Sequence, residues 1–489
     1  MLFNSYIFVL LFLPLALAGY FLLNRLNHQV GKAWLLGMSL WFYAYFNFSY
    51  FYIIVASIVL NYLMNRLITR MQSRQGRIAL LILTLCINLG VLFYYKYYDF
   101  FVGNINAVFG TGFVLRRLVI PLGISFFTFQ QLSYIIDSYR GEVPAYNMLD
   151  YALFVTFFPQ LIAGPIVTHD EIVPQFADPS KKRLNAENFT KGLTAFAFGL
   201  GKKVLMADII GQAADWGFAS VGMLNTTEAL LVVLCYTLQI YFDFSGYCDM
   251  ATGIGLMFNI DLPMNFESPY RSFSIQEFWK RWHRTLTRFF TRYLYIPLGG
   301  NRKGEARTYI NIFVVFLVSG LWHGASWTFV LWGAMHGAAS LLNRRFEKQY
   351  NRLHAGLRWL LTFGFINFAW IYFRAESIGA ANLMVVKLLR LDFGAVNPAM
   401  LSVFRLPGIE LANRLLSTFA GVDLLGKVPA LPMMLCLAFG IFAILAMKNT
   451  NERVLAYKPS TGIALVTAVL LVWCLFSFSD VSIFLYFNF

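Results

Sequence analysis

The sequence predicts an all-α protein that crosses a membrane many times. Of its 489 residues, 58% are apolar and only 13% are charged, whereas about a quarter of the residues in soluble domains carry charge. Its 36 glycines and 15 prolines are ordinary numbers, and the high apolar content excludes a disordered chain. A soluble enzyme is excluded as well, because several soluble domains would need more charged surface than this chain has.

Apolar segments that could cross the bilayer recur along the chain, and each needs about 20 mostly apolar residues. The candidate spans are 6–24, 33–46, 49–65, 78–96, 117–136, 150–167, 190–214, 227–246, 308–322, 324–342, 358–374, 429–447 and 462–485. Three stretches, 33–46, 150–167 and 308–342, contain Pro, Gly or polar breaks, which indicate half-helices or re-entrant pieces around a cavity. We therefore expect about 11–13 spanning or re-entrant helices. The segment 375–428 mixes charges with Pro and Gly and is the expected surface stretch.

The first span has two interpretations. Residues 7–23 form an apolar run that ends in Ala-Leu-Ala, which is typical of a cleaved secretory signal. However, no Lys or Arg precedes Arg25, so the usual charged region of a signal peptide is missing. We interpret the run as a retained first helix, with a cleaved signal as the alternative.

The basic residues predict the orientation of the chain. They gather in three loops, 66–77, 271–307 and 344–358, and the central loop carries nine basic residues against two acidic ones. By the positive-inside rule, these loops face the cytoplasm. The same rule, together with attraction to anionic membrane lipids, explains the net charge of +15 without a nucleic-acid partner.

The central loop contains the pattern of an amphipathic helix over 277–293. Its apolar residues recur at steps of three and four, and its arginines do so on another face; the first set is Trp279, Trp282, Leu286, Phe289 and Tyr293, and the second is Arg281, Arg284, Arg288 and Arg292. Such a helix lies in the headgroup plane of a bilayer. His283 is then either one more interfacial ring or a titratable group that assists a phosphate-bearing acyl donor.

A histidine inside an uncharged segment is the main candidate for chemistry. Residues 309–343 are nearly free of charge and contain His323. An ionisable group at membrane depth indicates a functional site by default, with a structural hydrogen-bonding role as the alternative. Gly320 and Gly324 should leave room for a substrate, and Trp322 and Trp327 should form walls around it.

The remaining histidines and the cysteines do not predict a metal site. His336 lies 13 residues after His323, which is about 20 Å of rise and about 220° of rotation on one straight helix. We therefore interpret His336 as a packing or interfacial residue. The five cysteines form no CxxC pair, so neither zinc nor a disulfide framework is expected. Neither a GxSxG elbow nor a Walker loop occurs, so a hydrolase or an ATP-driven pump lacks sequence support.

Several segments in order resemble a known family. EFWKRWH (277–283), YLYIPLGGNR (293–302) and GLWHGASW (320–327) are similar to motifs of the membrane-bound O-acyltransferase family, particularly its bacterial branch that contains the alginate O-acetylation membrane protein. Supporting segments are PLGISFFTFQ (121–130), FPQLIAGPI (158–166), YFDFSGYCDMA (241–251) and NFESPYRS (265–272). Beyond residue 375 no motif matches.

This resemblance implies a fold and a set of site residues. The fold is a many-helix bundle around a funnel or tunnel, with N-terminal helices in 1–116, a catalytic core in 117–375 and an amphipathic region with further helices in 376–489. His323 corresponds to the active-site histidine and His283 to the second polar position. The residues expected to contact substrate are Trp279, Arg281, Trp282, Trp322, Gly324 and Trp327.

The resemblance also implies an activity. The chain would take an acetyl group from a cytoplasmic thioester and would hold no bound cofactor. The expected donor is acetyl-CoA, with an acyl carrier protein as the alternative. It would pass the group across the bacterial plasma membrane to a secreted or periplasmic SGNH-type acetyltransferase, which works with polysaccharide synthesis and export machinery. Alternatives are an acyltransferase for lipid, teichoic acid, peptidoglycan or protein, and a transporter or flippase that uses the intramembrane charges Asp243, Asp249, Lys202 and Lys203.

Overall fold

The computed structural model describes residues 1–144, 146–404, 407–478 and 484–485, and every regular element in these ranges is helical. The prediction of an all-α fold is therefore confirmed for the described part of the chain. The N-terminal elements are the π-helical turn Ile7–Phe12, α1 (Leu13–Leu26), α2 (His28–Ala44), α3 (Phe48–Arg70), α4 (Arg74–Leu92), the π-helical turn Phe93–Tyr97 and α5 (Tyr98–Phe109).

The central and C-terminal parts contain longer and shorter helices in alternation. The central helices are α6 (Ile124–Arg140), α7 (Met148–Thr156), α8 (Phe158–Leu161), α9 (His169–Ala177), α10 (Ala186–Gly201), α11 (Asp208–Ala219), α12 (Thr226–Met257), α13 (Ile275–Arg281), α14 (Arg284–Phe290), α15 (Glu305–His323), α16 (Trp327–Arg345), α17 (Glu347–Tyr350) and α18 (Ala355–Arg374). The π-helical turns Lys202–Ala207 and Thr291–Tyr295 follow α10 and α14. The C-terminal helices are α19 (Ile378–Leu389), α20 (Pro398–Ser402), α21 (Pro407–Ala420), α22 (Leu424–Lys427), α23 (Leu431–Leu445), α24 (Thr450–Leu455) and α25 (Thr461–Phe476).

Within the described ranges, four helices are long and apolar enough to cross a membrane by themselves, namely Ile7–Leu26, Phe48–Arg70, Arg74–Phe109 and Thr226–Met257. Other candidate spans are shorter or broken. The stretch 150–167 divides into α7 and α8, with the break at Phe157, which agrees with the expected interruption. The last candidate span begins as α25, but residues 479–483 lie outside the described part.

The long helix α12 forms the axis of the molecule, and small residues allow its neighbour α10 to approach closely. A Cβ on Gly253 would lie 2.5 Å from the carbonyl oxygen of Gly192, and one on Gly246 would lie 2.8 Å from that of Gly199. Close approach through small residues is the usual way in which membrane helices pack, because lipid provides little hydrophobic drive for their association. Residues of α12 also contact two different interiors: Asp243 pairs with Lys203 in one, and the ring of Phe244 lies 4.9 Å from that of His283 in the other.

One of these interiors holds the intramembrane charges, and they pair with one another. Lys202 contacts Asp249 at 2.6 Å, and Lys203 contacts Asp243 at 2.6 Å and Asp208 at 2.9 Å. A cavity of about 1610 Å³ lies here between α11, α12 and the C-terminal helices α23 and α25. No histidine is among its described lining residues, so the cavity is separate from His323.

The three basic loops meet at one end of the molecule. Arg77 donates to the carbonyl oxygen of Tyr139 at 2.6 Å, and Arg292 contacts the carboxylate of Glu142 at 3.0 Å. Both partners lie at or just beyond the end of α6. In the third loop, the guanidinium of Arg358 lies 5.5 Å from the ring centroid of Phe273. This shared location agrees with the prediction that all three loops face the same side of the membrane.

Candidate active site

The predicted helix over 277–293 is broken in the middle, and its aromatic face packs into the protein. The backbone at His283 adopts a left-handed conformation with φ of +45°, so α13 ends at Arg281 and α14 begins at Arg284. The ring of Trp282 lies 5.5 Å from that of Phe278 and 5.1 Å from that of Trp370. The prediction of a helix in the headgroup plane is therefore wrong: the apolar periodicity matches a protein partner, α16 and α18, instead of acyl chains.

The arginines of this loop are paired with carboxylates. The four pairs are Arg281–Glu277 at 2.8 Å, Arg284–Glu267 at 2.7 Å, Arg288–Glu171 at 2.6 Å and Arg292–Asp137 at 2.8 Å. Because Glu171 and Asp137 belong to the distant helices α9 and α6, Arg288 and Arg292 fasten the loop onto the helical core. Arg281 is paired with Glu277 within α13, and its expected contact with substrate stays a prediction.

His283 is fully buried and is oriented by an asparagine. Its Nδ1 lies 3.0 Å from Oδ1 of Asn265, which also accepts a hydrogen bond from the hydroxyl of Thr285 at 2.9 Å. The amide nitrogen of Asn265 donates to Sγ of Cys248 at 3.3 Å, so the asparagine is fixed from both sides. With Nδ1–H donated to Asn265, Nε2 is left as the basic nitrogen. The interpretation of His283 as an interfacial ring is wrong, since its exposed fraction is 0%.

His323 is the last residue of α15 and lies in an aromatic enclosure close to His283. Its ring centroid is 4.9 Å from that of Trp322, 5.1 Å from that of Trp332 and 5.2 Å from that of Phe373. The ring of Trp322 also lies 6.0 Å from that of His283. The structure therefore brings the two predicted histidines to the same indole.

The glycines around His323 serve helix packing rather than substrate access. A Cβ on Gly320 would lie 2.3 Å from the carbonyl oxygen of Phe329, and one on Gly324 would lie 2.1 Å from the ring of the same residue. The expectation that Gly320 and Gly324 leave open space is therefore wrong. Trp327 is 55% exposed and donates to Asn104 at 2.8 Å, so it does not form a wall of the enclosure.

His336 lies closer to the site than the straight-helix argument allowed. The chain reverses between α15 and α16, so Trp332 contacts the ring of His336 at 4.7 Å as well as that of His323. The indole nitrogen of Trp279 donates to Nδ1 of His336 at 3.1 Å. His336 is thus a buried packing residue, as predicted, but it joins the aromatic cluster of the candidate site.

Lys96 and Ser125 also line the site, and sequence reasoning missed both. Together with Trp322 and His323 they border a cavity of about 30 Å³, which is room for about one water molecule. A wide funnel at His323, which the resemblance implies, is therefore not seen among the described residues. Lys96 is the last residue of the candidate span 78–96, so the sequence suggests a lysine at the membrane surface. The apolar residues on both sides of Lys96 could have indicated that it lies within the membrane instead.

A second cavity of about 130 Å³ lies on the side of the basic loops, bordered by Thr285, Arg288, Arg292 and residues of the segment 166–171. Thr285 connects it to the Asn265–His283 pair. Within this cavity the pKa of Asp170 is lowered: burial alone would raise it, but the hydrogen bond with Thr168 and the charge of Arg292 outweigh burial. The cavity therefore presents charges of both signs. Among the described residues, no group of three His, Cys, Asp or Glu side chains could hold a metal ion.

Comparison with known proteins agrees with this arrangement. Residues 42–381 match the membrane-bound O-acyltransferase family. The chain is 40% identical to a peptidoglycan O-acetyltransferase of Helicobacter pylori, over 100% of this chain and 98% of the relative. It is 40% identical to a probable alginate O-acetylase of Azotobacter vinelandii, over 85% of this chain and 83% of the relative. A teichoic acid D-alanyltransferase of Bacillus subtilis is 26% identical, over 53% and 70% of the two chains.

The family match covers both histidines and the helices that carry them, and the relatives named as O-acetyltransferases share the chain over most of its length. These matches decide against the alternative of a non-enzymatic transporter. The chain belongs to the membrane-bound O-acyltransferase family and is a polytopic membrane enzyme that transfers acyl groups.

Proposed function

We propose that this protein takes an acetyl group from a cytoplasmic thioester and passes it across the plasma membrane for O-acetylation of a polysaccharide. The observation that carries the proposal is the buried ring of His323. The ring of Trp322 contacts both this ring and the ring of His283. Acetyl-CoA is the first donor to test and an acetylated carrier protein the second. The acceptor is a hydroxyl group, either of the polymer or of a secreted SGNH-type partner that works with the polysaccharide machinery.

His323 is proposed as the general base. Its ring removes the proton from the acceptor hydroxyl while the hydroxyl oxygen attacks the carbonyl carbon of the thioester. When the tetrahedral intermediate collapses, the C–S bond breaks and the leaving thiolate takes the proton back from the imidazolium. General base catalysis of this kind contributes roughly a hundredfold to ten-thousandfold in rate.

Two indole groups support an acyl-binding role for the enclosure. The Nε1 atoms of Trp322 and Trp332 have no hydrogen-bond partner among the described residues, although the two side chains are only 4% and 0% exposed. A buried donor without an acceptor is costly, and in native proteins it calls for a water or a ligand. The carbonyl oxygen of an acyl donor, which becomes negative during attack, is an acceptor of suitable chemistry.

His283 and the cavity on the loop side are proposed to hold the donor. The chain of contacts from Thr285 through Asn265 to His283 leads from that cavity toward Trp322. Trp279 and Trp282 are buried but do not border this cavity; they contact the rings of His336 and Trp370. The common location of the three basic loops supports a cytoplasmic position for this side, since basic loops are retained there.

The names of the relatives support an order in which acceptors should be tested. The Helicobacter relative is named for peptidoglycan and matches the whole chain, including the part beyond residue 381. The Azotobacter relative is named for alginate and matches a smaller share. Peptidoglycan is therefore the first acceptor to test, with an alginate-like exopolysaccharide second and a teichoic acid third.

The test uses the full chain in proteoliposomes with [acetyl-¹⁴C]acetyl-CoA outside, purified peptidoglycan fragments as acceptor and the native partner present. His323→Ala should lower label transfer by a hundredfold or more, roughly the contribution of a general base. His354→Asn is the matched control, because His354 is exposed and only caps the start of α18. Folded His323→Ala protein with native activity would refute the proposed role, and movement of intact acetyl-CoA without transfer would refute the reaction itself.

A further inference from the structure

Lys96 is a charged side chain within the apolar helix Arg74–Phe109, and its position in the structure is unusual. The side chain is 93% buried, since its exposed fraction is 7%. No carboxylate lies within 4.0 Å of its Nζ among the described residues. An intramembrane lysine without an acidic partner is costly and indicates function by default.

The closest partner of Lys96 is a carbonyl group at the end of α15, and its Nζ also donates to the hydroxyl of Ser125 at 3.4 Å. Its Nζ donates to the carbonyl oxygen of Trp322 at 2.5 Å and to that of His323 at 3.3 Å. The neighbouring Tyr97 donates its hydroxyl to the carbonyl oxygen of Leu321 at 2.9 Å. Helix ends leave their last carbonyls without partners, and the negative end of the helix dipole favours a cation there. One lysine and one tyrosine thus satisfy three consecutive carbonyls.

The local backbone explains how two consecutive side chains reach the same helix end. In a regular α-helix, neighbouring side chains diverge by about 100°. Phe93–Tyr97 is instead a π-helical turn inside the longer helix, and π-bulges are frequently found at functional sites. The widened turn places Lys96 and Tyr97 side by side against α15. The same lysine also borders the cavity of about 30 Å³ at His323.

We propose that Lys96 is a positioning residue for acyl transfer, which fixes the end of α15 so that the His323 ring faces the cavity. This inference rests on the proposed catalytic role of His323. Lys96 acts through the backbone of α15, since its closest contact is the carbonyl of the residue just before the histidine. Removal of the ammonium leaves two buried carbonyls without a donor, so the final turn of α15 relaxes and the ring moves away from its working position.

The experiment measures kcat and KM for acetyl transfer with Lys96→Met, which keeps the length of the side chain but donates no hydrogen bond. A displacement of about 1 Å at a reacting group costs about a hundredfold in rate, so kcat should fall by about that factor while KM stays near the native value. Lys96→Arg, which retains charge and donors, should recover a large part of kcat. Lys348→Met, at an exposed lysine in α17, is the matched control and should behave like the native chain.

The outcomes separate this inference from the proposed function. If His323→Ala abolishes transfer but Lys96→Met keeps the native kcat, the positioning role is overturned and the general base stands. If His323→Ala itself keeps native activity, the proposed function fails. If folded Lys96→Met protein has a lower melting temperature but a native kcat, Lys96 contributes only to stability. This result also overturns the inference. If Lys96→Met does not fold, Tyr97→Phe removes only the phenolic hydrogen bond, and a native kcat in that variant is the contradicting result.

Discussion

Replacement of Gly320 by alanine tests how tightly the active-site hairpin is packed. The new Cβ would lie 2.3 Å from the carbonyl oxygen of Phe329, whereas ordinary contact begins near 3.4 Å. Because the contacted atom belongs to the backbone of Phe329, it cannot rotate away as a side chain could. The helices α15 and α16 must therefore separate by about 1 Å. Such overpacking lowers the free energy of unfolding by about 1–3 kcal/mol. Because His323 lies less than one turn beyond Gly320, a shift of this size should also reduce kcat by about a hundredfold.

The assay compares thermal melting and acetyl transfer for Gly320→Ala and for Gly364→Ala. A Cβ at Gly364 in α18 meets nothing within 4 Å, so alanine there should stabilise the helix by about 0.5–1 kcal/mol and leave transfer unchanged. If Gly320→Ala melts and turns over like the Gly364→Ala protein, the close crossing of α15 and α16 does not control the site and the reasoning fails.

Two further predictions concern buried polar groups. Asn265→Ala removes the acceptor of both His283 Nδ1 and the Thr285 hydroxyl. Two unsatisfied buried donors should lower the free energy of unfolding by about 2–6 kcal/mol, which thermal melting would detect as a lower melting temperature. A native melting temperature would contradict the role of Asn265 in orienting His283. Asp243→Asn removes one of the two carboxylates that pair with Lys203, and the side chains of this pair are 2% and 3% exposed. Because Asp208 still contacts Lys203, the cost should be about 1–3 kcal/mol, below the roughly 3–5 kcal/mol of a buried charge left without any partner. By contrast, Asp261→Asn affects a pair in which the aspartate is 68% exposed and should cost at most about 1 kcal/mol. Equal melting temperatures of the two Asp→Asn variants would refute the comparison.

The sequence predicted the helical class and the interruption within 150–167, because these depend on composition and on local breaks. The catalytic role of His323 stays a prediction. The sequence could not predict the partner of an apolar face. The periodicity of Trp279, Trp282 and Leu286 is the same whether the face meets lipid or protein. Only the tertiary structure shows Trp279 packed against α16 and Trp282 against α18.

The remaining differences also arise from long-range contacts. The glycines at 320 and 324 are equally compatible with an open site and a tight helix crossing. The backbone of Phe329 decides the matter at Gly320, and the ring of Phe329 decides it at Gly324. The position of His336 depends on the reversal after Gly324, which the straight-helix argument did not include. Lys96 was missed because its carbonyl partners are 226 and 227 residues away in the chain.

The narrow space beside His323 has a consequence for the catalytic cycle. A coenzyme thioester or a sugar is larger than about 30 Å³, so the proposed function requires a motion that parts the surrounding rings when substrate binds. Such motions occur in microseconds to milliseconds and set the rate of many enzymes. On the proposed function, the narrow space would also limit the access of bulk water to the carbonyl carbon of the donor and so slow its hydrolysis. We then expect the stiffness of the surrounding bilayer to influence the rate.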